Sequence, residues 1–164
     1  MGNQLLLPEP SPVLRRLLKL NQDIKQEAPV LMDSPTVTGY ASLFNKVDSG
    51  GDFVLPGAFT ASLEQRQSRG QLVRMLVEHN PEVAAGEWTE IYENERGLFV
   101  VGRIARNDRK LPRGLSIGYR TKRSRRTPKT GNRELLEIDL WKISLVSMPM
   151  MPECQALLQE PGDG

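Results

Sequence analysis

Ser116 stands between Gly114 and Gly118 in the stretch Gly114-Leu115-Ser116-Ile117-Gly118-Tyr119, and His79, the single histidine of the chain, lies 37 residues before it. A serine hydroxyl is a weak nucleophile until a base withdraws its proton, and an imidazole does this well near neutral pH. In a serine hydrolase built on this chain the base is therefore His79. Glycines at 114 and 118 would let a substrate backbone come close and leave main-chain N–H groups free to hold an oxyanion. The letters fit the G-x-S-x-G elbow, but Tyr119-Arg120-Thr121 follows instead of a helix, so the α/β-hydrolase context is missing. Taken singly, a loop histidine is more often a polar surface group, and a strand serine a small packing residue. The arrangement around them has to decide.

Composition narrows the alternatives. The chain has 164 residues, 38% of them hydrophobic and 26% charged, which suits one soluble domain with tails. No apolar run approaches the roughly 20 residues that span a bilayer, and Leu5-Leu6-Leu7, followed at once by Pro8, is too short for a signal sequence. One cysteine cannot form an internal disulfide, and one cysteine with one histidine cannot build a structural zinc site, so no metal or cofactor is expected. A cysteine nucleophile at Cys154 is formally possible, yet it follows the last expected strand with no cation to lower its pKa.

The elements that must position Ser116 and His79 follow from pattern. Residues 1–34 read as an N-terminal arm punctuated by Pro8, Pro10, Pro12 and Pro29, either a short helix over Val13–Gln26 or disordered. From Val37 the signals are strand and turn. Strands are expected over 37–44, 72–77, 86–92, 97–104, 114–121 and 135–148, with one helix over 58–69 ended by Gly70. His79 falls in the turn that closes the 72–77 strand. Pro149, Pro152 and Pro161 are expected to end regular structure, leaving 157–164 as a flexible tail. The fold class is thus α+β and β-rich, with a closed barrel as the natural way to hide so many strand edges.

The order and wording of these segments resemble the prohead proteases of tailed phages. Gly39-Tyr40-Ala41 and Val54-Leu55-Pro56-Gly57-Ala58-Phe59 match the family's opening. The apolar strand ending in His79, Gly86-Glu87-Trp88, Gly97-Leu98-Phe99-Val100, the full Gly114–Tyr119 motif, and Ser144-Leu145-Val146 with Pro149 follow in order. The resemblance runs over the expected domain, 35–156. It implies a β-barrel with flanking helices, closed or partly open, like the herpesvirus capsid-maturation peptidases. It also implies Ser116 as nucleophile, His79 as general base, and weaker substrate or oxyanion roles for Gly114 and Gly118. The substrates would be the major capsid protein, scaffold segments and the enzyme itself, cut inside the assembling procapsid in the bacterial host cytoplasm, with possible self-association.

Two features depart from the family. A glutamate usually stands two positions before the Ser-Leu-Val block to orient the histidine; here that place holds Lys142, which cannot accept a hydrogen bond from Nδ1–H. Asp139 and Glu137, three and five residues away, fall on the opposite face of a regular strand. The connection 105–113 is too short for the helix that relatives carry there. The third member of the triad is therefore unassigned, and the rival reading is a catalytically weak or inactive protease-fold assembly component, or a prophage remnant. Between 120 and 133 lie seven cations and no acid, leaving fifteen bases against twenty acids elsewhere. This basic loop is expected as a solvated hairpin tip, with nucleic acid an unlikely partner because no aromatic residue interleaves the charges.

Overall fold

The structure is a computed structural model that describes residues 34–105 and 110–161. The expectations for the N-terminal arm, and for the middle of the 105–113 connection, lie outside the described residues.

Eight strands form one sheet. They are β1 (Thr36–Leu43), β2 (Asp52–Val54), β3 (Arg74–Val77), β4 (Asn80–Glu93), β5 (Gly97–Ile104), β6 (Gly114–Arg126), β7 (Arg133–Val146) and β8 (Ala156–Gln159). Strand β7 organises the site. It runs antiparallel to β6 along its whole length, and its other edge is shared by two parallel partners, β2 at residues 133–135 and β3 at residues 142–145. The order then continues β3-β4-β5-β1-β8. The curl brings β8 back to the start of β6, where Leu115 N–H donates to the Cys154 carbonyl (2.7 Å) and Ala156 N–H to the Arg113 carbonyl (2.6 Å). The barrel-like fold expected from sequence is present, closed along this seam by a two-bond clasp.

Alternation along the strands sets what faces inward. In β6 and β7, Leu115 pairs with Leu145 and Ile117 with Ile143, and these side chains join Met75, Leu98, Val100 and Phe59 in the core. Each fully buried side chain of this kind stabilises the fold by about 1.5–3 kcal/mol relative to exposure. The intervening residues, Ser116, Ser144 and Leu76, occupy the other face; Leu76, although fully buried, is outside the main cluster.

The helix α1 (Thr60–Ser68) fills the stretch of β7 between β2 and β3. Ile138 N–H donates to the Ala58 carbonyl, and Leu140 N–H to Ser62 Oγ at 2.9 Å, so β7 keeps its ladder where no strand reaches it. The helix has no cap of its own. Glu93 of β4 supplies one, accepting from Gly57 N–H, Phe59 N–H and the Thr60 hydroxyl.

Three expectations are corrected. The basic segment is not a loop: β6 continues to Arg126 and β7 begins at Arg133, because Arg125, Arg123 and Arg120 face Glu134, Glu137 and Asp139 across a ladder that suits opposite charges. Residues 156–159, expected beyond the last strand, form β8 against β1, since the prolines at 149 and 152 only delay the chain before it pairs again. Finally, β7 is not regular. Register shifts leave Trp141 and Leu136 as extra residues, so its positions in the core cluster run 135, 138, 140, 143 and 145 rather than every second residue.

Candidate active site

Ser116 is 3% exposed and lies directly opposite Ser144 of β7, which in turn lies opposite Leu76 of β3. Two residues along the same face, Gly118 pairs with Lys142. A Cβ at Gly118 would sit 2.3–2.9 Å from the Lys142 side-chain carbons, so the glycine is what lets the lysine stem lie across β6. Gly114 has a comparable packing reason: a Cβ there would meet the Val146 carbonyl oxygen at 2.5 Å and the Pro149 ring. Both glycines are thus accounted for by their own chain.

His79 is reached through a two-residue hairpin. Val77 pairs with Asn80, and the residues between them, Glu78 and His79, have φ of 48° and 58°. Two consecutive positive φ values are what a type I′ turn needs, and Asn-Gly is its usual filling. Glu-His is a costly substitute, about 1–3 kcal/mol for each strained residue, and persists only where surrounding contacts hold it. Here β7 holds it. Glu78 N–H donates to the Leu145 carbonyl (2.8 Å), and Lys142 Nζ donates to the His79 carbonyl at 3.3 Å. The second bond draws the turn onto the face that carries Ser116 and Ser144.

The strands that carry Ser116 and lead to His79 are not neighbours. Ser116 is on β6, His79 follows β3, and β7 runs between them. The spacing of β-branched and polar residues gave no sign that two strands would share one edge of β7.

The electrostatics of the imidazole are distinctive. Burial first, and then the charge of Lys142, hold His79 below the ordinary histidine range, with Glu78 pulling the other way. At neutral pH the ring is therefore neutral, the form a general base needs. Its Nδ1 is buried without a hydrogen-bond partner among the described residues, and so is Ser144 Oγ. Nδ1 is the atom an orienting carboxylate would hold, and Lys142, standing where that carboxylate was expected, reaches the main chain instead.

The bulge at Trp141 reverses an expectation about the nearby acids. It turns Asp139 and Glu137 to the same face as Lys142, yet neither serves His79: Asp139 accepts from Arg66 of α1 at 3.1 Å and from Ser62. Cys154 is fully buried, and burial, followed by the Glu153 charge, pushes its thiol up to about 12, so it holds no thiolate at neutral pH. Among the described residues no cluster of histidine, cysteine and carboxylates could hold a metal ion.

On the other side of β6, at its edge facing β1 and β2, lies a cavity of about 120 Å³ lined by Ser116, Leu115, Ile117, Tyr119, Ala41 and Val54 among others. Tyr119 closes it by donating to Asp52 Oδ2 at 3.2 Å, and Asp52 is gripped by Nε and Nη2 of Arg133. Burial and then Asp52 push the Tyr119 phenol up to about 12, whereas the Arg133 hydrogen bond holds the Asp52 carboxyl below its usual range.

The sequence model of the caudovirus prohead serine proteases matches residues 22–160, most of the chain. The chain belongs to that family. A prohead protease of Enterobacteria phage HK97 is 42% identical over 67 residues, 40% of this chain but only 28% of the phage protein. Two solved structures are similar to this prohead-protease fold. The Kaposi's sarcoma herpesvirus protease bound to a hexapeptide phosphonate inhibitor is 15% identical, with a TM-score of 0.46, over 77% of this chain and 65% of that one. The varicella-zoster virus protease is 14% identical, with a TM-score of 0.49, over 77% and 64%. The chain therefore spans just under two thirds of these two herpesvirus chains.

Proposed function

We propose that this chain is a serine endopeptidase that processes capsid and scaffold proteins, and itself, during phage procapsid maturation. Ser116 is the nucleophile and His79 the general base. The observation that carries the reading is the shared face: Ser116, Ser144 and Lys142 lie on it, and Lys142 ties the His79 carbonyl down to it. Two strand spacings, about 10 Å, separate Ser116 from Leu76, and His79 follows three residues later in the turn that Lys142 holds. Membership of the prohead protease family supports the same assignment.

The edge of β6 supports a peptide substrate. Leu115 points its N–H away from β7, towards Cys154, and the alternation of an antiparallel ladder aims Ile117 N–H the same way. Beyond the clasp at Gly114 no strand covers that edge among the described residues. An extended segment can lie along it with one apolar side chain in the neighbouring cavity, and the main-chain N–H groups beside Ser116 are the candidate oxyanion donors. The work would take place inside the assembling procapsid in the host cytoplasm; no helix among the described residues is long and apolar enough to cross a membrane.

A second reading, a protease fold kept as an assembly component with little or no activity, is favoured by the unpartnered Nδ1 of His79 beside Lys142. Co-expression with the phage capsid protein separates the two. Cleavage that disappears on Ser116→Ala supports the peptidase. An intact substrate, identical with both chains, supports the silent component.

A further inference from the structure

We infer that Glu78, a residue outside the Ser–His pair, is the positioning residue of this site, fixing the His79 imidazole by docking the hairpin turn on Ser147. The inference rests on the peptidase reading for its catalytic meaning and on geometry for its substance. A single carboxylate oxygen of Glu78 accepts two hydrogen bonds from Ser147, from the main-chain N–H at 2.8 Å and from the hydroxyl at 2.5 Å. Ser147 is the first residue past β7, so this contact lies beyond the ladder, while Lys142 grips the same turn from within it. The turn is thus held at both of its strained residues, Glu78 by its side chain and His79 by its carbonyl.

Strain gives the arrangement its purpose. Glu78 and His79 both adopt a backbone conformation that neither prefers, and a turn of this sequence left alone would relax. Glu78 is exposed and is not a member of the core cluster, so its carboxylate is not there to hold the barrel together. What it fixes is the direction in which the next residue presents its ring. An orienting group commonly binds the imidazole itself; here Nδ1 has no partner among the described residues, and orientation comes through the backbone instead.

The same carboxylate also sets charge. The groups acting on the imidazole are Lys142, from β7, and Glu78, from the turn, with opposite signs. Arg74 of β3 turns its guanidinium away to the Pro81 carbonyl at 2.6 Å. Glu78 therefore offsets a lysine that would otherwise discourage the imidazolium formed when His79 takes the serine proton.

The chain has one histidine, so its ring gives one signal in an NMR titration. The titration is run on the full chain carrying Ser116→Ala, so that self-cleavage cannot intervene, with Glu78→Gln and Ser147→Ala added separately. Glu78→Gln is expected to lower the His79 midpoint and loosen the ring. Ser147→Ala, which keeps the charge, is expected to loosen the ring and leave the midpoint in place. In the chain with Ser116 intact, each is expected to reduce kcat by about tenfold with little change in KM, as a small misplacement of a catalytic group does. A His79 signal with the same midpoint and mobility in Glu78→Gln as in its parent would overturn the inference. If Glu78→Gln does not fold, an unaltered ring in Ser147→Ala overturns it equally. The titration decides the positioning of His79 whether or not the chain cuts anything, whereas absence of cleavage by the unaltered chain strikes only the peptidase reading.

Discussion

Along residues 133–139, strand β7 matches charge with charge, while along residues 142–146 it leaves polar groups unmatched. In the first half Arg133 grips Asp52, Glu134 takes Arg125, and Asp139 takes Arg66. In the second half Lys142 meets no carboxylate among the described residues, only the His79 carbonyl and the Trp141 ring, Ser144 Oγ has no partner among the described residues, and the neighbouring His79 Nδ1 has none either. Buried polar groups are ordinarily satisfied, because leaving one unmade costs about 1–3 kcal/mol. The first half is therefore built for stability. The second carries the kind of deficit that structures accumulate where a ligand or a reaction will complete them.

The sharpest way to break this contrast is at His79. His79→Asn removes the base and is expected to lower cleavage by about 10⁴-fold or more. It also places at φ 58° a residue that accepts that conformation, so the melting temperature should rise, by an amount corresponding to about 1 kcal/mol. A variant that is both inactive and less stable would show that the turn is not strained.

Asp52→Asn attacks the matched half. Losing the charge in the Arg133 grip is expected to cost about 1–3 kcal/mol, read as a lowered melting temperature at pH 7. The sign with pH follows from the depressed carboxyl. Its stabilisation is present above the ordinary carboxylate range and is lost as pH falls through the folded value. The gap between wild type and variant should therefore close in acid; a gap that persists there would assign the effect to packing.

Lys142→Glu converts the unmatched half towards the usual family pattern. The His79 midpoint should rise, and activity should gain by roughly tenfold or less, measured as cleavage of the capsid protein against pH. The folded histidine titrates below its unfolded value, so wild type gains stability as pH rises through that window and loses it below. The variant should flatten that dependence. No change in either would mean that another group already governs the ring. The smallest effect belongs to Arg125→Ala at the exposed end of the basic hairpin. The Arg125 side of that pair is open to solvent and Glu134 keeps its bond from the Thr127 hydroxyl, so the loss should leave the thermal unfolding curve in place.

Much of the strand layout was legible because turns such as Asp48-Ser49-Gly50-Gly51 and Asn94-Glu95-Arg96-Gly97 punctuate apolar runs of ordinary length. The continuation of β6 through Arg120–Arg126 was hidden, because a run of cations looks like a loop until the acids of β7 are set opposite it. The bulge at Trp141 was hidden too, since one extra residue leaves no mark in composition yet moves Asp139 to the other face. His79 at the end of an apolar strand could be read directly. Its neighbour Glu78 could not: only the pairing of Val77 with Asn80 reveals that Glu-His fills a turn made for other residues.

The clasp at Leu115 and Arg113 has a consequence in time. The segment bearing the serine acquires its second neighbour from Cys154 and Ala156, some forty residues later in the chain. A ribosome that has just released the Gly114–Tyr119 motif has released a strand with neither flank in place. On the peptidase reading, the site is complete only once Ala156 has emerged and closed the seam.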